Sequence, residues 1–429
     1  MTQPPFRVLF VDPVLDGSGE IITTLHMGRD LQRAGSEAHY LGTPLARTLL
    51  EEDFGTRVRP IGADAQANFQ AWETALCEIR PDAVVFADLP FFWLEQGTVQ
   101  LGSPDALLDS LTAVDVPVFT LDHFGMAQQA CNLFFGPPHL TQTPNRIPAM
   151  PQHVHRLLPC PMHDPRELPG RTGVPFRYWD APLTRPSGER EQTRAQWLGD
   201  PDGLLILLPI PGWAVRVADA IDHPYHRLLP EFLAYYFEGL GRPVTIVAVN
   251  GQNLPACDSK SVRIVPVSTM PVEQFEALMF AADLLLTDNG LSIAMGKAVC
   301  GLQTCANLRN RWRFAELAPR LKGTMRDLMW KMERTKLGSI HPYEVFPGGT
   351  REELEMLGWF GHKSITDACA TVELFGGERT RDALRALLLD PSSRRDLAAR
   401  QRAYVDRLCA LPTANEVLRD TMTSQRATR

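Results

Sequence analysis

Lysine is scarce in this chain: there are six in 429 residues, and none before Lys260. The remaining positive charge is arginine, a skew that reads as coding bias more than as function. Basic residues do not outnumber acidic ones; 43 against 50 leaves a net charge of −7. That balance argues against a general nucleic-acid surface and against docking on an anionic membrane. Long apolar runs are missing too. The longest, such as Leu204–Ile210, are strand length, well short of the ~20 residues of a membrane helix. Met1–Phe6 has no positive stretch leading into an apolar core, so no signal peptide and a cytoplasmic location are expected. None of the eight cysteines forms a CxxC pair, which excludes a zinc ribbon or redox motif; buried thiols are expected. There is no G-x-S-x-G, P-loop or HExxH motif, and no internal repeat of 20–50 residues.

What is present is ordinary globular material, 44% apolar and 22% charged. At this length one core is not expected, and two domains of roughly 200 residues are. The first half alternates strands with helices. Arg7–Val11, Ala38–Leu41, Ala83–Phe86 and Val116–Leu121 read as strands; Glu20–Ala34, Ala65–Ile79 and Leu107–Leu111 read as helices. Between Gly136 and Ser187 twelve prolines break the pattern, which excludes long helices and central strands there. The alternation restarts with a helix at Glu189–Leu198 and continues through strands at Leu204–Leu208, Val244–Val249 and Val262–Val267. Helices are expected at Leu228–Leu240 and Val272–Ala281, and a terminal pair at Arg379–Leu389 and Ser393–Leu408. Strands alternating with helices imply parallel sheets covered on both faces. The expected division is an N-terminal domain, 1–186, and a C-terminal domain, 187–429, that includes the terminal helices.

The segment Ala281–Ala306 is the most informative. Leu284–Leu286 ends in the turn Asp288-Asn289-Gly290, a helix follows from near Ser292, and a second apolar run comes at Leu302–Cys305. Asp288 or Asn289 can cap that helix, leaving N–H groups near Gly290 and Ser292 for phosphate oxygens. A similar turn, Pro209-Ile210-Pro211-Gly212-Trp213, follows the first strand of the second half, and Trp213 could stack on a base or sugar, although packing is the commoner role. Asn307 and Arg309, after the last strand of the segment, suit hydroxyls and phosphates.

In the first half, Asp16-Gly17-Ser18-Gly19-Glu20 opens the first helix. Gly17 and Gly19 allow a tight turn and close approach to a ligand. Glu20 is a candidate general base at the carboxyl end of the sheet; the bland alternative is a carboxylate complementing the helix dipole. Ile22 stands where a dinucleotide fingerprint needs its third glycine, which counts against a nicotinamide enzyme. Asp88, Asp122 and His123 sit at strand ends and could line an acceptor cleft. Asp222-His223-Pro224-Tyr225-His226 has no evident third ligand and reads as a loop, so no metal is expected. His341–Gly349 looks like a structured loop without a derivable role.

Three stretches carry a resemblance: GSGEIITTLHMGRDLQRAG at Gly17–Gly35, the unit Leu278–Ala306, and Glu373–Leu408. In this order the chain resembles nucleotide-sugar glycosyltransferases of the GT-B fold. The resemblance implies two Rossmann-like doubly wound α/β domains facing across a cleft, closed by C-terminal helices. It places Glu20 where many inverting members carry a catalytic histidine, and Ser292 in the donor phosphate loop. Met295 stands where many members have a ribose-binding glutamate. The implied activity is inverting, metal-independent glycosyl transfer with Glu20 as base. It would use a nucleotide-diphosphate sugar as co-substrate, no further cofactor, and a small-molecule or peptide acceptor, and a place in bacterial specialised metabolism is expected. Its rivals are a nucleotide-sugar 2-epimerase and a non-catalytic binding or partner subunit on the same fold.

Overall fold

A computed structural model describes residues 5–15, 18–93, 98–123, 127, 130–133, 145–161, 173–179, 183, 187–220, 222, 224–257, 259–289, 292–309, 319–333 and 364–428. They form two compact units, one from residues up to 179 with 407–428, the other from 183–333 with 364–406.

The first unit is built on β1 (Arg7–Asp12), α1 (Ser18–Arg33), β2 (Glu37–Gly42), α2 (Pro44–Phe54), β3 (Val58–Pro60), α3 (Ala65–Ile79), β4 (Ala83–Phe86), α4 (Pro104–Ala113) and β5 (Val118–Leu121). A small antiparallel pair, β6 (Cys131–Leu133) with β7 (Asn145–Ile147), precedes β8 (Val154–Cys160) and β9 (Val174–Arg177). The sheet order is β3-β2-β1-β4-β5-β8-β9, all parallel. Strands buried on both faces read as continuous apolar runs, and VLFV, AVVF and VFTL are of that kind. Capping sets the helix starts: Asp64 accepts from Gln66 and Ala67 N–H at α3, and Ser103 from Ala106 N–H at α4, where Pro104 is the first helical residue. Gly28 lets α1 pass close over its neighbours; a Cβ there would lie 2.0 Å from the Tyr40 hydroxyl oxygen and 2.7 Å from Phe54 Cζ.

In the second unit come α5 (Ser187–Trp197), β10 (Leu204–Pro209), α6 (Gly212–Ala220), α7 (Tyr225–Phe237), β11 (Val244–Val249), β12 (Val262–Val267), α8 (Val272–Ala281), β13 (Leu284–Thr287), α9 (Ile293–Cys300), β14 (Cys305–Arg309) and β15 (Ala370–Glu373). Its sheet order is β12-β11-β10-β13-β14-β15, again parallel. Helices at Gly323–Glu333 and Glu378–Leu389 pack with α7 around an apolar core holding Phe232, Tyr236, Met329 and Leu384.

Several sequence expectations need correction. The proline-rich stretch does supply a central strand, β8, between β5 and β9. It tolerates Pro159 because pairing with β5 stops at Leu157, so beyond that point only β9 is alongside. Asp222–His226 is not all loop: α7 starts at Tyr225, directly after Pro224. The run Leu302–Cys305 is mostly the exit from α9. Leu302 takes φ +53° and Gln303 N–H closes the helix on the Ala298 carbonyl, so β14 begins only at Cys305 and contains Asn307 and Arg309. The stretch 187–429 is not one body. Residues from 407 join the first unit, where the helix Ala414–Thr428 packs on α1 and β9. Asn415 N–H donates to Asp30, and the Arg419 guanidinium lies 4.6 Å over the Phe6 ring. Such long-range contacts leave no periodic trace at the boundary itself.

Among the described residues no helix is long and apolar enough to cross a membrane. The seven cysteines with described side chains are thiols, none in a disulfide. Gly17, Gly290, His223, Pro186 and residues 341–349 lie outside the described residues, as does the side chain of Trp213.

Candidate functional site

Both sheets reverse their winding at one place. In the first, strand order runs outward from β1 one way and from β4 the other; in the second the same happens between β10 and β13. Loops leaving the carboxyl ends of such strand pairs diverge, and open α/β sheets bind ligands in the crevice this leaves. The candidate residues fall at these two points or on the next strand outward, β5 in the first sheet and β14 in the second.

In the first unit, Asp12 ends β1, Glu20 lies in the first turn of α1, Asp88 follows β4, and Asp122-His123 follow β5. All five are buried, with Glu20 7% exposed and Asp88 wholly covered. The structure therefore gathers Glu20, Asp88, Asp122 and His123, as the sequence proposed, and adds Asp12, Thr23, Thr24 and Arg156. Asp122 is neutralised by Arg156 of β8, whose Nε and Nη2 donate to Oδ2 at 3.1 and 2.5 Å. Asp12 accepts from the Thr24 hydroxyl at 3.2 and 3.1 Å. Burial pushes the Asp12 carboxyl up to about 8 despite the Thr24 hydrogen bond, and the Glu20 charge adds to the rise. Asp88 is pushed well above the carboxylate range by burial, then by Asp122 and Glu20. His123 is pulled down by burial, with Glu20 and Asp122 acting against it. Its Nε2 lies 3.1 Å from Thr23 Oγ1, and its Nδ1 3.7 Å from Asp88 Oδ2. The Thr23 hydroxyl also reaches the Gly19 carbonyl at 3.0 Å, so Gly19 serves this turn through its backbone. Glu20 sits under cover, among other acids, and is at the same time the acidic residue of the first turn of α1.

In the second unit, β13 leads into Asp288 and Asn289. The Asn289 N–H donates to Thr287 Oγ1 at 3.1 Å. Neither Asp288 nor Asn289 caps α9. Ser292 does, accepting from Met295 N–H at 3.4 Å, because its Cβ hydroxyl is one residue from the helix start and theirs are not. The Ser292 hydroxyl is thus committed to the helix, and the N–H groups left for a ligand are those of the first turn, Ile293 and Ala294. Asp288 keeps Oδ2 buried; burial pushes its carboxyl up to about 6, and the Tyr225 hydroxyl of α7 pulls it back. Asn307 of β14 stands in register with Thr287, is 1% exposed, and has no hydrogen-bond partner for Oδ1 among the described residues. Arg309 is two residues on, paired in register with Glu373. Gly212 opens α6 after β10, the strand beside β13. Met295 is buried, so its side chain is core. Asp222 is exposed and paired with Arg227 at 2.6 Å, and among the described residues no cluster of three or more metal-ligating side chains occurs.

Sequence reasoning missed Asp12, Thr23, Thr24 and Arg156. Asp12 closes a strand and could have been found by its position; Arg156 sits in the proline-rich stretch, where no strand was expected.

A model of a family of unknown function, DUF6365, matches residues 27–427. No curated protein sequence matches. Among solved structures, the spinosyn forosaminyltransferase SpnP is similar at a TM-score of 0.54 and 14% identity, covering 97% of this chain and 98% of that one. The spinosyn rhamnosyltransferase SpnG is similar at 0.51 and 14%, covering 97% and 99%. The fold is that of GT-B glycosyltransferases.

Proposed function

Since the chain belongs to DUF6365, a family without an assigned activity, we propose from its site that it transfers a glycosyl group from a nucleotide-diphosphate sugar to a small-molecule or peptide acceptor. The observation that carries this reading is the position of Glu20: a buried carboxylate at the winding reversal of a doubly wound sheet, in the first turn of the helix after β1. There it has the reach and the cover to take a proton from an acceptor hydroxyl or amine, with inversion at the sugar carbon. Asp88, Asp122 and His123 surround it on the acceptor side. On the second unit, the first-turn N–H groups of α9 offer a diphosphate the positive end of a helix, with Asp288, Asn289, Ser292, Asn307 and Arg309 around it. As the acceptor atom bonds to the anomeric carbon, the bond from that carbon to the diphosphate oxygen would break, with those N–H groups stabilising the charge on the departing diphosphate in place of a metal ion.

Met295 favours one second reading, a non-catalytic nucleotide-binding partner, because a core methionine gives the ribose no hydrogen bond. A thermal-shift screen with UDP-, GDP- and dTDP-sugars tests binding: a specific donor raises the melting temperature by mass action. Product analysis with donor alone then exposes an epimerase, and with an acceptor panel a transferase. Glu20→Gln should abolish transfer while keeping the donor-induced shift. Unchanged turnover in that variant rejects Glu20 as base.

A further inference from the structure

We infer that Asn307 and Arg309 of β14 are the specificity pair of the donor site: the Arg309 guanidinium takes a diphosphate oxygen, and the Asn307 amide accepts from a donor hydroxyl beside it. The two faces of the second sheet differ. Leu284 and Leu286 of β13 and Ala306 and Leu308 of β14 join the apolar core shared with α7. Side chains alternate along a strand, so Thr287, Asn307 and Arg309 belong to the opposite face. The buried Met295, Ala298 and Val299 of α9 stand outside that core, so α9 covers this opposite face. Asn307 pairs in register with Thr287, the last residue of β13, and Arg309 lies two residues beyond. Both thus stand at the carboxyl end of the sheet, on the side where α9 begins.

The fold makes no use of either side chain. Asn307 is 1% exposed, yet its amide makes no hydrogen bond with a described residue, and its Oδ1 is wholly covered. A buried amide without a partner destabilises the protein until something pairs with it. The Arg309 guanidinium makes no ion pair among the described residues, although Glu373 stands beside it in register on β15. The other polar groups at this end are engaged. Thr287 Oγ1 takes the Asn289 N–H, and Ser292 Oγ takes the Met295 N–H. Asp288 lies on the α7 side, against the Tyr225 hydroxyl.

The chemistry of the two groups divides the ligand between them. A diphosphate oxygen can only accept, so it suits the guanidinium and leaves an amide oxygen unsatisfied. The amide oxygen needs a hydrogen donor. On a nucleotide sugar the donors next to the diphosphate are hydroxyls, of the ribose on one side and of the sugar on the other. Asn307 therefore selects donors that carry a hydroxyl there.

This inference deepens the transferase reading and rests on its donor half. UDP, GDP, dTDP and their glucose esters are the probes, titrated by calorimetry into the full chain, with melting temperatures taken without ligand. Asn307→Leu and Asn307→Ala should melt, free of ligand, within about 5 °C of the wild type, because no bond is lost. They should weaken the best-bound probe roughly five- to fiftyfold. A loss already seen with the nucleoside diphosphate assigns the hydroxyl to the ribose; a loss confined to the glucose ester assigns it to the sugar. Arg309→Leu should weaken every diphosphate that binds, roughly ten- to a hundredfold, and Arg309→Lys should recover part of this. Unchanged affinity in both Asn307 variants, or melting temperatures that fall by more than about 5 °C in both, overturns the role of Asn307; the amide then serves the fold, as through an internal water. Unchanged affinity in Arg309→Leu overturns the role of Arg309. A wild type that binds none of the probes at millimolar concentration rejects the donor reading itself, whereas binding indifferent to both residues rejects only this inference.

Discussion

Asp12→Asn should stabilise the protein, and the gain should depend on pH. In the fold the Asp12 carboxyl is pushed up to about 8, against 3.8 in the unfolded chain. Between those values the folded state binds one proton more than the unfolded state. Stability is therefore greatest at the acid end, falls as pH rises towards 8, and then levels off. At about 1.36 kcal/mol per pH unit, the span from pH 4 to 8 amounts to about 5 kcal/mol. Asparagine keeps the shape and can accept from the Thr24 hydroxyl, but it does not titrate. Urea unfolding of both proteins, followed through the transition that includes the first unit, should give a difference near zero at pH 4 and several kcal/mol in favour of Asn at pH 8. Glu20→Gln removes a charge that raises Asp12, so it should shrink the span. A difference constant across this range would refute the reasoning, since Asp12 would then ionise in the fold as it does in water.

Arg156→Met leaves Asp122 buried without its cation and should cost about 3–5 kcal/mol in urea unfolding, whereas replacing both residues by apolar ones of similar volume should cost much less. Lys297, 3% exposed and 2.6 Å from Glu276, makes a second covered pair; Lys297→Met should lower the stability of the second unit by a similar amount, read by urea unfolding. Gly28→Ala puts a Cβ against Tyr40 and Phe54 and should destabilise by about 1–3 kcal/mol, read as a lower melting temperature; an unchanged value would mean that α1 can move away.

Much of the architecture was legible because its signals are local. Ala65–Ile79 and Val272–Ala281 are found where periodicity put them, and Ala83–Phe86 where its continuous apolar run did, since these patterns lie in the residues themselves. The helix Pro44–Phe54 was not expected, although Ala46, Leu49, Leu50 and Phe54 give it one buried face, and β3 is only three residues long. Strand β8 hid behind prolines whose effect depends on which neighbour runs alongside.

For the site, the sequence alone determined which acids end strands and which helix carries Glu20, because chain position and turn chemistry are one-dimensional properties. Only tertiary structure decided that Asp12, Glu20, Asp88, Asp122 and His123 share one covered cluster, and that Arg156 from a distant strand balances one of them. It also decided that Ser292, and not Asp288 or Asn289, caps α9. Burial and pairing depend on residues a hundred or more positions apart, as Thr23 and His123 are, and those contacts exist only once the sheet has set the order of its strands.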